Sequence, residues 1–169
     1  FEIERRLKEE LDIPVMHDDQ HGTAIISSAG LVNALQVAGK KIEDVKIVVN
    51  GAGASAVSCT KLYVSLGARL ENIVMLDSKG VISKTRTDLN EQKRYFATSR
   101  TDIHTLEEAI KGADVFLGLS RGNVLSKDNC FAVADQVQAD LGPCDILING
   151  AGGNNARANT DKEFFEMGD

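Results

Sequence analysis

No apolar run in this sequence approaches the roughly 18 residues of a membrane-spanning helix, so nothing in it calls for a bilayer. The opening stretch, FEIERRLKEE, lacks the apolar segment that a secretory signal requires. Cysteine is scarce: Cys59, Cys130 and Cys144 stand far apart, in no metal-ligand spacing. That excludes a disulfide scaffold and fits reduced thiols in a cytoplasmic location. Positive charge is in deficit, with 19 basic against 25 acidic residues and a formal charge of -6. No basic stripe offsets that total, which argues against a nucleic-acid partner. Internal repeats and low-complexity linkers are also missing.

What is present is 169 residues, 43% hydrophobic and 26% charged, enough for one well-sized core. Residues 1–11 read as an amphipathic helix with Phe1, Ile3, Leu7 and Leu11 on one stripe, ended by Pro14. It begins with no visible cap, which suggests that something once preceded it. A polar cluster, His17 to His21, follows, and a long helix is predicted from Gly22 to about Val37 with Gly39 as its stop. Apolar strands are predicted at 45–49, 73–76, 115–119 and 146–148. Helices are predicted from the glycine turn at 51 to near Gly67, at 105–111 and over about 126–140. Residues 78–100 read as polar and without a strand, and 150–169 as Gly/Asn-rich and then weakly helical. Strands alternating with helices imply an α/β fold, a Rossmann-type doubly wound parallel sheet in three αβα layers.

The strongest local chemistry is Gly51-Ala52-Gly53-Ala54-Ser55-Ala56, a G-x-G-x-x-A turn between a predicted strand and a predicted helix. The first glycine permits the tight turn, the second lets backbone approach a pyrophosphate, and the small third residue lets the helix pack closely on the strand. Phosphates would then face free N–H groups at the positive end of the helix dipole. The pattern wants an acid about 20 residues further on, at the end of the next strand, to hold a ribose hydroxyl. Asp77 stands there. Its neighbours Ser78 and Lys79 suit a 2′-phosphate equally well, so NAD and NADP both remain open.

A second constellation, Asp18-Asp19 flanked by His17 and His21, offers hard oxygen ligands for Mg²⁺ or Mn²⁺. The same carboxylates could cap the following helix. Zinc on His17 and His21 is the third possibility, with no further nitrogen or sulfur ligand nearby.

Ile-Pro-Val-Met-His-Asp-Asp-Gln-His-Gly-Thr-Ala (13–24) resembles a signature of bacterial malic enzymes. The resemblance continues in order through Val-Val-Asn-Gly-Ala-Gly-Ala-Ser-Ala, Leu-Asp-Ser-Lys-Gly and Gly-Ala-Asp-Val-Phe-Leu-Gly-Leu-Ser-Arg-Gly-Asn, to about residue 128. It implies NAD(P)-dependent oxidation and decarboxylation of malate to pyruvate with a divalent cation, and a homo-oligomer. By resemblance, Asp19 would be one metal ligand and Asp18 would lie beside it in the catalytic network. Thr23, the Gly51–Ala56 turn, Asp77 and Ser120 would line the cofactor site. The family's tyrosine acid, lysine base and Glu-Asp metal pair would belong before Phe1, so the chain alone is expected to bind dinucleotide but turn over poorly. Its exposed face, where further structure would pack, is expected to be apolar and prone to association. Tyr63, Tyr95, His104 and Arg121 match none of the family's catalytic motifs and read as packing or surface residues.

Beyond about Asp128 the pattern changes. Leu-Gly-Pro-Cys-Asp-Ile-Leu-Ile-Asn-Gly-Ala-Gly-Gly-Asn-Asn (141–155) resembles the central strand and turn of short-chain dehydrogenases/reductases. In that family the turn supports the adenine-ribose side of the cofactor, and the catalytic Tyr-x-x-x-Lys lies further on. This implies one domain over 1–169 made of two Rossmann pieces joined near Val124–Asp128. A divergent malic enzyme with a chance turn is the alternative. A short-chain dehydrogenase fragment and a non-catalytic dinucleotide-binding module are the rival functions.

Overall fold

The apolar runs of the sequence become the strands of one sheet in the computed structural model, which describes residues 2–120 and the strand 146–149. In chain order the elements are α1 (Glu2–Glu10), α2 (Asp18–Ala38), β1 (Ile47–Asn50), α3 (Ala54–Ser65), β2 (Ile73–Asp77), β3 (Gly80–Val81), α4 (Glu91–Tyr95), α5 (Leu106–Ile110), β4 (Val115–Gly118) and β5 (Ile146–Asn149). The sheet order is β3-β2-β1-β4-β5. All neighbours pair parallel except β3, which runs antiparallel to β2. This is the α/β, parallel-sheet architecture expected from the alternation of elements. The helix predicted at 126–140 and the tail 150–169 lie outside the described residues.

Strand side chains alternate strictly between two cores, as a period of two requires. Ile47, Val49, Ile73, Met75, Val115 and Leu117 face α2 and α3. Val48, Val74, Leu76 and Phe116 face the opposite side, against Ile103, Leu106 and Ala109 of α5 and its approach. Each fully buried side chain of this kind contributes about 1.5–3 kcal/mol. Burial on both faces explains why the strands are uninterrupted apolar runs rather than alternating ones.

The helix starts correct the sequence reading. α2 begins at Asp18 rather than Gly22, because extended His17 (φ -101, ψ 107) takes the N-cap position. Asp18 and Asp19 therefore sit in the first helical turn, where carboxylates favour the positive dipole end. Gly39 ends α2 in the left-handed conformation (φ 66), as predicted. Its buried stripe is Gln20, Ala24, Ser28, Leu31 and Leu35, while Ile25, Ile26 and Val37 stay exposed.

α1 forms as predicted, yet its stripe is not buried: Ile3 is 77% exposed, and Leu7 and Leu11 are exposed as well. The helix carries internal ion pairs, Arg5 with Glu2 and Glu9 and Arg6 with Glu10. It meets α2 through Glu4, which binds His21 at 2.6 Å and Gln20 at 3.2 Å.

The segment 78–100, read as lacking a strand, holds β3 and α4. A two-residue strand is too short to show any period, and it exists because Gly80 turns at φ 105 to pair with Asp77. The Asn90 side chain caps α4 by accepting the Lys93 N–H.

Candidate dinucleotide site

From β1 the chain crosses to β2 on one side, whereas β4 lies on the other side of β1. The carboxyl ends of β1 and β4 therefore open the crevice in which doubly wound sheets take ligands. The glycine turn is the exit of β1. Gly51 has φ 131, and a Cβ there would lie 2.6 Å from the Leu119 carbonyl oxygen and 3.2 Å from the Ser120 nitrogen. Only glycine lets the two turns meet this closely, and the contact brings Ser120 beside the turn. The Leu119 N–H to Asn50 carbonyl bond, 2.9 Å, fastens them.

Gly53 serves differently. It is the N-cap of α3 with an ordinary φ of -79, and a Cβ there would meet nothing within 4 Å. The space above the helix start is open. Ala54, Ser55 and Ala56 present the first N–H groups of α3, which no helix can satisfy internally and which suit phosphate oxygens. Ala56 is fully buried, as the close helix–strand packing of the motif requires. The Ser55 hydroxyl donates to the Asp19 carbonyl oxygen at 2.6 Å, so residue 55 has its backbone N–H to offer a phosphate.

Asp77 ends β2 where the sequence places it, but its carboxylate is occupied. The side chain is 7% exposed. Arg86 reaches both oxygens, at 2.9 and 3.0 Å. Lys93 Nζ donates at 2.7 Å and the Lys79 N–H at 3.0 Å. Burial pushes the acid up, but the Arg86 and Lys93 bonds outweigh it and hold the carboxyl well below the usual range. Arg86 and Lys79 do the same to Asp88. Ser78 and Lys79 stand exposed at the rim. Arg86 and Lys93 escaped the sequence reading. The signal available was the recurrence of Lys79, Lys84, Arg86 and Lys93 within a segment otherwise dismissed as polar.

The acidic pair occupies the first turn of α2. Asp19 has a side chain 91% exposed, with His17 Nε2 at 3.9 Å. The Asp18 carboxylate lies over Gly22, whose missing Cβ would fall 2.0 Å from Asp18 Oδ1. His21 is turned to Glu4, at 2.6 Å, rather than to His17. Among the described residues no three His, Cys, Asp or Glu side chains gather as a metal site. Thr23, half-buried, lies one turn further along α2.

The residues set aside at the start behave as packing or surface groups. Tyr63 is fully buried with its hydroxyl bonded to Ser27, and burial pushes its phenol up to about 12. Tyr95 is half-exposed and stands edge-on to Phe96. His104 is exposed, and Arg121 lies outside the described residues.

A family model, the NAD binding domain of malic enzyme, matches residues 20–128. The chain belongs to the malic enzyme family. Within it, the NADP-dependent malic enzyme of Halomonas elongata is 56% identical over 135 residues, covering 80% of this chain and 32% of that protein. The NAD-dependent malic enzyme of Rhizobium meliloti is 48% identical over 136 residues, covering 80% and 18%. The solved NAD-dependent malic enzyme of Thermotoga maritima superimposes with a TM-score of 0.66 at 44% identity, covering 74% of this chain and 34% of that one. The chain thus spans about a third or less of the length of these relatives. No helix among the described residues is long and apolar enough to cross a membrane.

Proposed function

We propose that this malic-enzyme chain binds NADP in preference to NAD and forms the cofactor half of an enzyme that oxidises malate and releases CO₂, leaving pyruvate. The observation that carries the reading is the open phosphate seat at Gly53, beside an Asp77 already saturated by cations. An acid that selects NAD must offer a free acceptor to the ribose hydroxyl, and both Asp77 oxygens are engaged. A 2′-phosphate would instead meet exposed Ser78 and the cationic rim of Lys79 and Arg86, which are held by Asp88 and would turn from it to receive the new anion. Bound dinucleotide would accept the hydride from C2 of the hydroxy acid, with Thr23 and Ser120 lining its seat and Gly51 to Ala56 holding its phosphates.

Asp19 fits one oxygen ligand of Mg²⁺ or Mn²⁺, being exposed with only the His17 ring at 3.9 Å, and Asp18 stands beside it. A divalent cation there would polarise the 2-hydroxyl and the ketone formed from it. Two neighbouring carboxylates alone hold such an ion weakly, so slow or absent turnover is expected of this chain. The buried, free Cys59 is in keeping with a cytoplasmic protein, and exposed Ile25, Ile26 and Val37 on α2 support self-association. Residues 129–169 we take as a second Rossmann piece completing a single domain. Support comes from the family match ending at 128 and from β5 pairing parallel with β4. DNA reads crossing the 124–128 junction test that origin, and their absence from source material would refute a natural fusion.

The functional test is a thermal melt with each dinucleotide. A ligand at a hundredfold excess over its Kd stabilises by about 2.7 kcal/mol, or about 5–11 °C for a domain of this size. NADP⁺ is expected to produce that shift at lower concentration than NAD⁺. Equal shifts would refute the preference, and no shift with either would refute the cofactor reading.

A further inference from the structure

Two helix starts converge at the crevice, and one side-chain hydrogen bond joins them. The first turn of α3 presents the N–H groups suited to phosphate, and the first turn of α2 carries Asp18 and Asp19. Between them the Ser55 hydroxyl donates to the Asp19 carbonyl oxygen at 2.6 Å, across 36 residues of sequence. The acidic turn is also shaped from within, since the Asp18 carboxylate lies in the space left by the missing Gly22 Cβ. The Asp19 side chain itself projects into solvent, 91% exposed, so its position is set by its backbone.

From this geometry we infer that Ser55 is a positioning residue. Its hydroxyl anchors the acidic turn of α2 to the phosphate-binding turn of α3, and occupancy of the dinucleotide site tightens the acidic turn through that bond. A pyrophosphate seated on the Ala54, Ser55 and Ala56 N–H groups would order the start of α3. Ser55 is the second residue of that helix, so ordering its backbone narrows the range of its hydroxyl and strengthens its hold on Asp19. Coupling of this kind is reciprocal, so a ligand that fixes Asp19 must also favour dinucleotide. The residue type is selected by the chemistry: alanine keeps the phosphate-facing N–H and loses the anchor, whereas threonine keeps both.

This inference rests on the dinucleotide reading, and its test separates the two. Amide hydrogen exchange is followed in the full chain for wild type, S55A and S55T, free and saturated with NADP⁺, with saturation set by each variant's own titration. The reporters are the His21, Gly22 and Thr23 amides; the first of these donates to His17 at 2.9 Å to open the helical ladder. In wild type NADP⁺ is expected to slow their exchange at least about fivefold. In S55A their exchange in the free protein rises by a similar factor while amides of β1 and β2 are unmoved, and the NADP⁺-dependent protection disappears. S55T restores both. Protection in S55A equal to wild type overturns the inference, as does failure of S55T to restore it. A chain for which no titration reaches saturation fails the cofactor reading itself and takes the inference with it. Saturable binding that leaves α2 unchanged in wild type refutes the anchor alone.

Discussion

Gly51→Ala and Gly53→Ala alter two glycines of the same turn and are expected to fail in different ways. At Gly51 the backbone has φ 131, and an added Cβ would lie 2.6 Å from the Leu119 oxygen and 2.8 Å from its carbonyl carbon. Both neighbours are main chain, held by the 2.9 Å bond from the Leu119 N–H to Asn50, and cannot swing aside as a side chain would. Backbone strain of about 1–3 kcal/mol adds to about 1–3 kcal/mol of overpacking, roughly 4 kcal/mol together. Each kcal/mol lowers Tm by about 2–4 °C in a domain of this size, so the melt should fall by about 8–16 °C.

Gly53 has φ -79 and empty space where its Cβ would be. Alanine there weakens the cap by about 0.5 kcal/mol and restricts the unfolded chain by a similar amount, so the two effects nearly cancel. Its melt should stay within about 2 °C of wild type. The new methyl group would, however, occupy the space above α3 that a pyrophosphate needs, and the NADP⁺-induced rise in Tm should vanish. Circular-dichroism melts of the three proteins with and without NADP⁺ read both effects. An unchanged melt for Gly51→Ala, or a full NADP⁺ shift for Gly53→Ala, would refute the reasoning.

Further predictions concern the ion cluster, the buried phenol and the helix faces. Because the Asp77 carboxyl is held low, its contribution to stability is fully present above its ordinary value near about pH 4 and is lost as pH falls below it. Urea midpoints of Asp77→Asn should therefore fall less steeply than wild type between about pH 5 and pH 3, and matching slopes would refute the buried pairing. Burial raises the Tyr63 phenol to about 12, so its contribution is present below about pH 10 and is lost as pH climbs from there through the folded value. Tyr63→Phe should cost about 0.5–1.5 kcal/mol at neutral pH and remove up to about 2.7 kcal/mol of alkaline loss; wild-type alkaline behaviour in the variant would count against it. Leu31→Ala, at a fully buried position of α2, should cost about 2–5 kcal/mol. Val37→Ala, 90% exposed on the same helix, should stay within about 0.5 kcal/mol, and similar urea midpoints for both would contradict the assigned face.

Several features were readable from neighbouring residues alone. The parallel strands announced themselves as apolar runs, and in β1, β2 and β4 the reason is burial on both faces. The strand–Gly51–Gly53–helix succession marked the turn, Gly39 marked the end of α2, and Asp77 was located at the end of β2. All of these are local signals, decided by torsion preferences and burial within a few residues. The start of α2 is not legible locally, because a histidine in the cap position is a weak sign and two acids beside it look like loop. β3 was missed because two residues carry no period.

Other features arise from contacts that no local pattern can announce. Lys93 reaches Asp77 across 16 residues and Ser55 reaches Asp19 across 36. The pairing of β1 with both β2 and β4 opens the crevice, and the meeting of Gly51 with Leu119 draws its walls together. Sequence specified which groups the crevice could draw on. Whether Asp77 is a free acceptor or a neutralised one, and whether the Ser55 hydroxyl faces a phosphate or another helix, was settled by packing, because the partner in each case arrives from a distant part of the chain.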